Sequence, residues 1–276
     1  MKRVIILIVL LSASTLWSQP KYVTTIHPLK EILREVVSDR AEVFAILPAG
    51  ASPHTYELRP SDLRLVESAT AIFYGSPSLD SWALKFQHEN RIEFLSLIPT
   101  AFLIYFQNQH GEKKERVSET ETSGHDDHHH ESGVDPHFWT DPLTIKALLP
   151  ALTEKLCALD PGGCEIYRKN SKRFSVHLDS LHLQLSKLLA PVQDRAVMIS
   201  HPFFSYFFKR YHIQLVASVE ESPGKEPTPK KIKRMVEQIK QHQVRAIFDH
   251  SQLPDRAAKV IAEASGLIVY RLDPLG

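Results

Sequence analysis

The sequence lacks several features that would assign it to a common class at once. After the first 20 residues, no stretch approaches the roughly 18 apolar residues that a membrane-spanning helix needs. Its 33 Lys and Arg residues nearly balance 32 Asp and Glu residues, and the net charge of +1 argues against a nucleic acid or an anionic membrane as partner. No His-Glu-x-x-His motif of a zinc peptidase is present. The 43% of hydrophobic residues and 24% of charged residues are those of a globular protein.

Cysteine is also scarce, since the chain contains only Cys157 and Cys164. The residues between them include the turn-forming Pro161, Gly162 and Gly163. In an oxidising compartment we expect a local disulfide across this turn. A pair of soft metal ligands is the alternative, but no histidine stands at a useful spacing beside the two thiols.

The N-terminus has the layout of a secretory signal peptide. A positive start at Met1–Arg3 precedes the apolar run Val4–Leu11 and the small, polar residues Ser12–Thr15. We expect cleavage near Ser18 and an exported, soluble mature chain; an N-terminal membrane anchor is the alternative. No cysteine stands near the cleavage point, so lipid attachment is not expected there.

Short β-rich runs alternate with helical segments in both halves of the chain, a pattern typical of parallel α/β sheets. We predict an α/β fold with two doubly wound lobes, residues 19–160 and 191–276. They are joined by a long helix within residues 161–190. Apolar residues in this segment recur at helical spacing, at Phe174, Leu178, Leu181, Leu185 and Leu188.

A polar, histidine-rich stretch interrupts the first lobe at about residues 108–133, and we predict a loop or disorder there. It contains four closely spaced histidines: His125, His128, His129 and His130. Imidazole suits transition metals such as zinc, whereas magnesium and calcium prefer oxygen ligands. We therefore expect weak, secondary metal binding by this loop; a solvated polar loop or an internal purification tag is the alternative.

Four better-placed candidate ligands lie elsewhere: His54, His137, His201 and Asp273. His54, His201 and Asp273 follow predicted strands, and open α/β sheets bind their ligands at the carboxyl ends of strands. Three neutral imidazoles and one carboxylate would form a four-coordinate site suited to zinc. Such residues converging from two lobes predict a metal site in the crevice between them.

These segments also carry a family resemblance over nearly the whole mature chain. The matching motifs are PHTYELRPSD around His54, DPHFWTDP around His137, SHPFFSYFFKRY around His201, KEPTP around Glu226, and DPLG at Asp273. With the histidine-rich insert between the first two, the chain resembles the periplasmic zinc-binding proteins of high-affinity metal ABC importers. That group also includes manganese-binding members.

The resemblance implies two lobes with a rigid connecting helix and a metal held in the crevice by His54, His137 and His201. A carboxylate, here Asp273, or a water takes the fourth position in such proteins. Manganese-preferring relatives often have Glu at the third position, so His201 favours zinc. The resemblance also implies a periplasmic receptor, expected to be a monomer, that captures zinc and delivers it to an ABC permease in the inner membrane.

Other functions stay open at this point. They are a manganese receptor of the same family, a secreted zinc buffer or adhesin, and a zinc hydrolase. We expect no enzyme activity, because no glutamate is obviously placed as a base beside the candidate ligands. Family members usually continue through another helix after the DPLG motif, so truncation after Gly276 is an open alternative that bears on the C-terminal lobe.

Overall fold

The computed structural model describes residues 19–106, 133–220, 227–250, 252 and 256–276. These residues form two α/β lobes, each built on a four-stranded parallel sheet. The predicted two-lobe α/β fold is therefore confirmed. The predicted signal peptide, the four clustered histidines of the polar loop and Glu226 lie outside the described residues.

The N-terminal lobe has the strand order β2-β1-β3-β4. Its strands are β1 (Lys21–Thr24), β2 (Glu42–Ala45), β3 (Ala71–Tyr74) and β4 (Arg91–Glu93). Its helices are α1 (His27–Val37), α2 (Pro60–Glu67) and the short α3 (Pro77–Asp80). Each strand pair in this sheet is parallel, as the alternation of strands and helices predicts.

Two helices follow the gap at residues 107–132: α4 (Pro142–Leu159) and the 26-residue α5 (Cys164–Leu189). Asp141 caps α4, since its side chain accepts a hydrogen bond from the Leu143 amide, and Pro142 occupies the first turn. A disulfide between Cys157 and Cys164 closes the turn between the two helices, which confirms the predicted pairing.

The C-terminal lobe repeats the strand order of the first as β6-β5-β7-β8, again with parallel pairs. Its strands are β5 (Ala196–Ile199), β6 (Gln214–Ser218), β7 (Ala246–Asp249) and β8 (Val269–Arg271). Its helices are α6 (Ser205–Arg210), α7 (Pro229–Gln241) and α8 (Arg256–Ser265).

Helix α5 connects the two lobes. Near its start, Tyr167 is fully buried and Asn170 donates a hydrogen bond to the Val36 carbonyl at the end of α1. Near its far end, His182 packs against Tyr211 after α6. The predicted apolar stripe is only partly buried, because Leu178 is 4% exposed whereas Leu188 is 73% exposed. Periodicity identifies the helix but not how much of its apolar face has a partner.

Direct contacts hold the lobes against each other beside the crevice. The Tyr206 hydroxyl donates to the Asp135 carbonyl at 2.9 Å, and the Trp139 indole donates to the Pro274 carbonyl at 2.7 Å. Arg210 forms an ion pair with the buried Asp141 at 2.7 Å. Among the described residues, no helix combines the length and apolar character that a membrane span needs.

Candidate metal centre

Three predicted ligands from distant parts of the chain meet between the lobes. His54 lies in the segment after β2, His137 immediately before a short turn of 3-10 helix, and His201 two residues after β5. One ring nitrogen from each can be chosen so that all three lie within 4.8 Å of one another. The Nε2 atoms of His54 and His137 are 3.2 Å apart. The fold thus brings nitrogen donors from both lobes to one point.

His137 is held in a single orientation by the carboxylate of Asp135. The Asp135 Oδ1 accepts a hydrogen bond from the His137 backbone amide at 2.9 Å and lies 2.7 Å from Nδ1. Both side chains are buried, at 1% and 0% exposure. An Nδ1–H donated to this carboxylate leaves Nε2 as a lone-pair donor facing His54. This is the arrangement that proteins use to orient a metal-binding imidazole.

His201 is also buried, but no hydrogen bond orients its ring as Asp135 orients that of His137. Its Nδ1 lies 3.7 Å from Glu220 Oε2, beyond hydrogen-bonding distance, and neither ring nitrogen has a hydrogen-bond partner. Burial, followed by the neighbouring His137 and His54, lowers its pKa well below the ordinary value. A buried, unpaired polar group is costly, so this imidazole would gain by coordinating a cation.

His54 is also disposed to remain neutral. Burial, followed by the nearby His137, lowers the pKa of His54 to about 3. The segment that carries it is fixed to the first lobe, because the Trp82 indole donates a hydrogen bond to the carbonyl of the preceding Pro53 at 2.8 Å. Metal coordination requires unprotonated imidazole, and burial keeps His54 in that form even at pH values well below neutral.

An aromatic ring closes one side of the cluster. Phe203 is fully buried, and its ring centroid lies 4.4 Å from that of His201 and 4.6 Å from that of His137. This apolar neighbour excludes water, which strengthens the interaction of a cation with its ligands.

Asp273 does not belong to the three-nitrogen group in this structure. It follows β8 as predicted, but its side chain is exposed, and Oδ1 accepts hydrogen bonds from Gln252 Nε2 at 2.7 Å and from the Leu275 amide at 3.0 Å. Its role as a metal ligand stays a prediction. The weak binding predicted for His125, His128, His129 and His130 also stays one, since they lie outside the described residues.

Sequence reasoning missed one buried histidine near the site. His250 follows β7 directly, is 4% exposed, and borders the same pocket as His201. The signal that could have identified it is its position at the carboxyl end of a strand, the argument that identified His201. Burial is the main cause that lowers the pKa of His250, and the adjacent Asp249 acts in the opposite direction.

Comparison with known proteins decides the family. The model of the family described as zinc-uptake complex component A, periplasmic (ZnuA) matches residues 23–276. The chain belongs to the ZnuA family. The match includes all three converging histidines, His250 and Asp273.

Relatives of this ZnuA family member include proteins named for two metals. It is 26% identical to the high-affinity zinc uptake system protein ZnuA of Yersinia pestis, over 92% of this chain and 82% of that protein. It is also 26% identical to the manganese ABC transporter substrate-binding lipoprotein PsaA of Streptococcus anginosus, over 91% of this chain and 78% of that protein.

Solved structures share the fold. A crystal structure of ZnuA superposes with a TM-score of 0.75 at 22% identity, covering 94% of this chain and 92% of the other. FpvC of Pseudomonas aeruginosa in complex with Mn²⁺ gives a TM-score of 0.76 at 22% identity, with coverage of 94% and 90%. At this identity the likeness establishes the two-lobed architecture of this ZnuA family member.

Proposed function

We propose that this protein is a periplasmic receptor that captures zinc and delivers it to an ABC importer in the inner membrane. The observation that carries the proposal is the meeting of three buried or half-buried imidazoles from both lobes at one point. Family membership supports the same function. The zinc uptake protein of Yersinia pestis is one relative whose name includes zinc.

His54, His137 and His201 are the proposed zinc ligands. Neutral imidazole is a preferred zinc ligand, and three protein ligands with an open fourth position form a sufficient zinc shell. Asp135 is the proposed orienting partner of His137, because it lies 2.7 Å from Nδ1. Asp273 is the proposed fourth ligand for metals that require oxygen donors, and binding them would replace its hydrogen bonds from Gln252 and the Leu275 amide.

Manganese is the second candidate cargo, since the Streptococcus anginosus relative is named a manganese transporter protein. Manganese depends more on oxygen donors than zinc does. If Asp273 is a ligand, Asp273→Ala should reduce manganese affinity strongly and zinc affinity little. Parallel titrations with both metals test this, and equal losses for the two metals, or none, would remove Asp273 from the site.

A binding role is favoured over catalysis. The cluster lies between two lobes that contact each other through Tyr206 and Trp139, and the Asp135 carboxylate is bound to His137 rather than placed to activate water. We propose that the metal itself is the cargo and that the protein partner is a permease. Turnover of an ester or peptide that disappears in His137→Ala would contradict this.

The test is the metal content of the full-length protein, exported and purified without added metal. We expect zinc to be present, and a chelator competition to show one tight site per chain. Co-purification with the permease expressed from the same genome would separate an import receptor from a secreted zinc buffer or adhesin. A protein that is isolated without metal and takes up zinc only weakly would overturn the proposal.

A further inference from the structure

His250 is the most unusual buried group near the proposed centre. Both of its ring nitrogens are buried without a hydrogen-bond partner of acceptable geometry. Among the described residues, His201 is the only other histidine in this state. An unpaired buried polar group costs about 1–3 kcal/mol, so such a group needs a compensating role.

The position of His250 relates it directly to the proposed ligands. Its ring centroid lies 5.9 Å from that of His201, only slightly more than the 5.0–5.4 Å that separate the three clustered rings. Phe203 contacts His250 at a centroid distance of 4.8 Å, close to its distances from His201 and His137. Four imidazoles therefore surround one phenyl ring.

The neighbours of His250 leave its ring free to act as a donor. Asp249 is 3% exposed, and neither of its carboxylate oxygens has a hydrogen-bond partner. Gln252 lies beside the ring; its amide nitrogen donates to Asp273, and its buried Oε1 is the nearby acceptor for an N–H of His250. Asp249 acts on the His250 ring through its charge, without the 2.7 Å contact by which Asp135 orients His137.

We propose that His250 supplies the fourth nitrogen when zinc binds, so that zinc is held by His54, His137, His201 and His250. This rests on the proposed function and names the fourth zinc ligand. When zinc is bound, Asp273 then keeps its hydrogen bonds from Gln252 and the Leu275 amide. It coordinates only metals that prefer oxygen ligands.

The His250 side chain must move towards the other three histidines to reach the metal. In this structure it does not belong to the group whose nitrogens lie within 4.8 Å of one another. Coordination by His250 satisfies one of its unpaired nitrogens and leaves the other for the Oε1 of Gln252. A fourth imidazole also makes the shell softer than one completed by a carboxylate, which favours zinc over manganese.

X-ray absorption spectroscopy of the full chain with less than one equivalent of zinc tests this without any substitution. Four imidazole ligands are expected in the wild-type protein. His250→Gln should show three imidazoles and one oxygen, with zinc affinity reduced at least about 10-fold and manganese affinity nearly unchanged. His27→Gln, at an exposed histidine outside the cluster, is the matched control and should keep the four-imidazole spectrum.

Stability of the metal-free protein separates a ligand from a structural residue. In the metal-free protein the unpaired nitrogens of His250 are a cost, and glutamine retains much of its volume, so His250→Gln should unfold at the same or a higher temperature than the wild type. A large fall in apo stability with equal losses for both metals would show a packing role and overturn the proposal. So would a wild-type spectrum with three imidazoles.

The two proposals fail in different ways. If the wild-type protein has no tight zinc site, or if His137→Ala leaves it intact, the proposed function is wrong. If tight binding requires His137 while His250→Gln keeps wild-type affinity and spectrum, only the role of His250 is wrong.

Discussion

His27 and His201 lie in corresponding turns of the two lobes, one residue apart when the sheets are aligned on Thr25 and Ser200. Each follows the strand that lies second in its sheet, β1 or β5, and each precedes a proline. Yet the His27 side chain is 51% exposed, with Nε2 3.5 Å from Glu31, whereas His201 is 5% exposed and faces His54 and His137. A shift of one residue after equivalent strands therefore separates a surface residue in one lobe from a candidate ligand in the other.

The lobes also differ in whether the buried polar side chains near the site have hydrogen-bond partners. In the N-terminal lobe, His137 already has its carboxylate partner Asp135. In the C-terminal lobe, His201, Asp249 and His250 are buried with unpaired side-chain atoms. The comparison suggests that the first lobe holds a pre-oriented ligand, while the second lobe gains the missing interactions when a metal arrives.

The largest effect is expected from His137→Ala. Loss of the oriented ligand should weaken zinc binding by at least about 100-fold, since zinc affinity depends on each ligand of the shell. His27→Ala is the control at an exposed histidine in the corresponding turn of the first lobe and should have wild-type affinity. Competition with a chelator measures both, and similar affinities for the two variants would remove the distinction between the positions.

The second prediction concerns the attachment of the first lobe to the helix pair. Arg40 binds the buried Asp160 through Nε at 2.8 Å and Nη2 at 2.7 Å. Arg40→Gln would leave that carboxylate without its cation and should reduce the free energy of unfolding by about 3 kcal/mol. The exposed pair of Arg168 and Glu154 provides the control, because Arg168→Gln should cost less than about 1 kcal/mol.

This ion pair also predicts a direction with pH. The hydrogen bond from Arg40 is the main cause that lowers the pKa of Asp160 below its ordinary value. The stabilisation is therefore complete above the unfolded pKa of about 3.9 and is lost as the pH falls through the lower folded pKa. Urea unfolding of both proteins should show the Arg40→Gln deficit at neutral pH and a smaller deficit in strong acid.

The third prediction compares the carboxylate partners in the two lobes. Asp135→Asn should reduce zinc affinity by about 10- to 100-fold, because it removes the charged acceptor 2.7 Å from His137 Nδ1. Glu220→Gln should have a smaller effect, since Glu220 lies 3.7 Å from His201 Nδ1. A larger loss for Glu220→Gln would mean that the C-terminal ligand is the more strongly oriented one.

The smallest effect on the tight site is expected from deletion of residues 112–132, which carry the clustered histidines. We expect zinc stoichiometry to fall while the affinity of the tight site stays unchanged, because the converging ligands lie elsewhere. Equilibrium dialysis with excess zinc gives the stoichiometry. Abolished tight binding would require a loop histidine among the ligands.

Local patterns explain which parts of the fold could be predicted. The helix α1 has a proline in its first turn and buried apolar residues at Leu29, Ile32, Leu33 and Val36, the spacing of one helix face. The three-residue β4 was not predicted, because such a short run carries no periodicity. Helix α6 begins at Ser205, and Phe203 just before it packs among the histidines, a contact that local pattern does not reveal.

The site was predictable only in part for a related reason. Strand ends and distinctive motifs identify His54, His137 and His201, and the structure brings them together. The orienting role of Asp135 and the burial of His250 depend on tertiary packing, which one sequence does not specify. The position of Asp273 after a strand was predictable, but not its hydrogen bonds to Gln252 and Leu275.

The placing of the tryptophans gives the protein an optical consequence. Trp82 donates to the carbonyl next to His54, while the Trp139 ring lies 5.5 Å from that of His137 and its indole N–H bonds to Pro274 across the crevice. A paramagnetic ion at the histidines would therefore quench the emission of both indoles. A red shift of Trp139 emission alone would instead signal that the lobes had parted and admitted water.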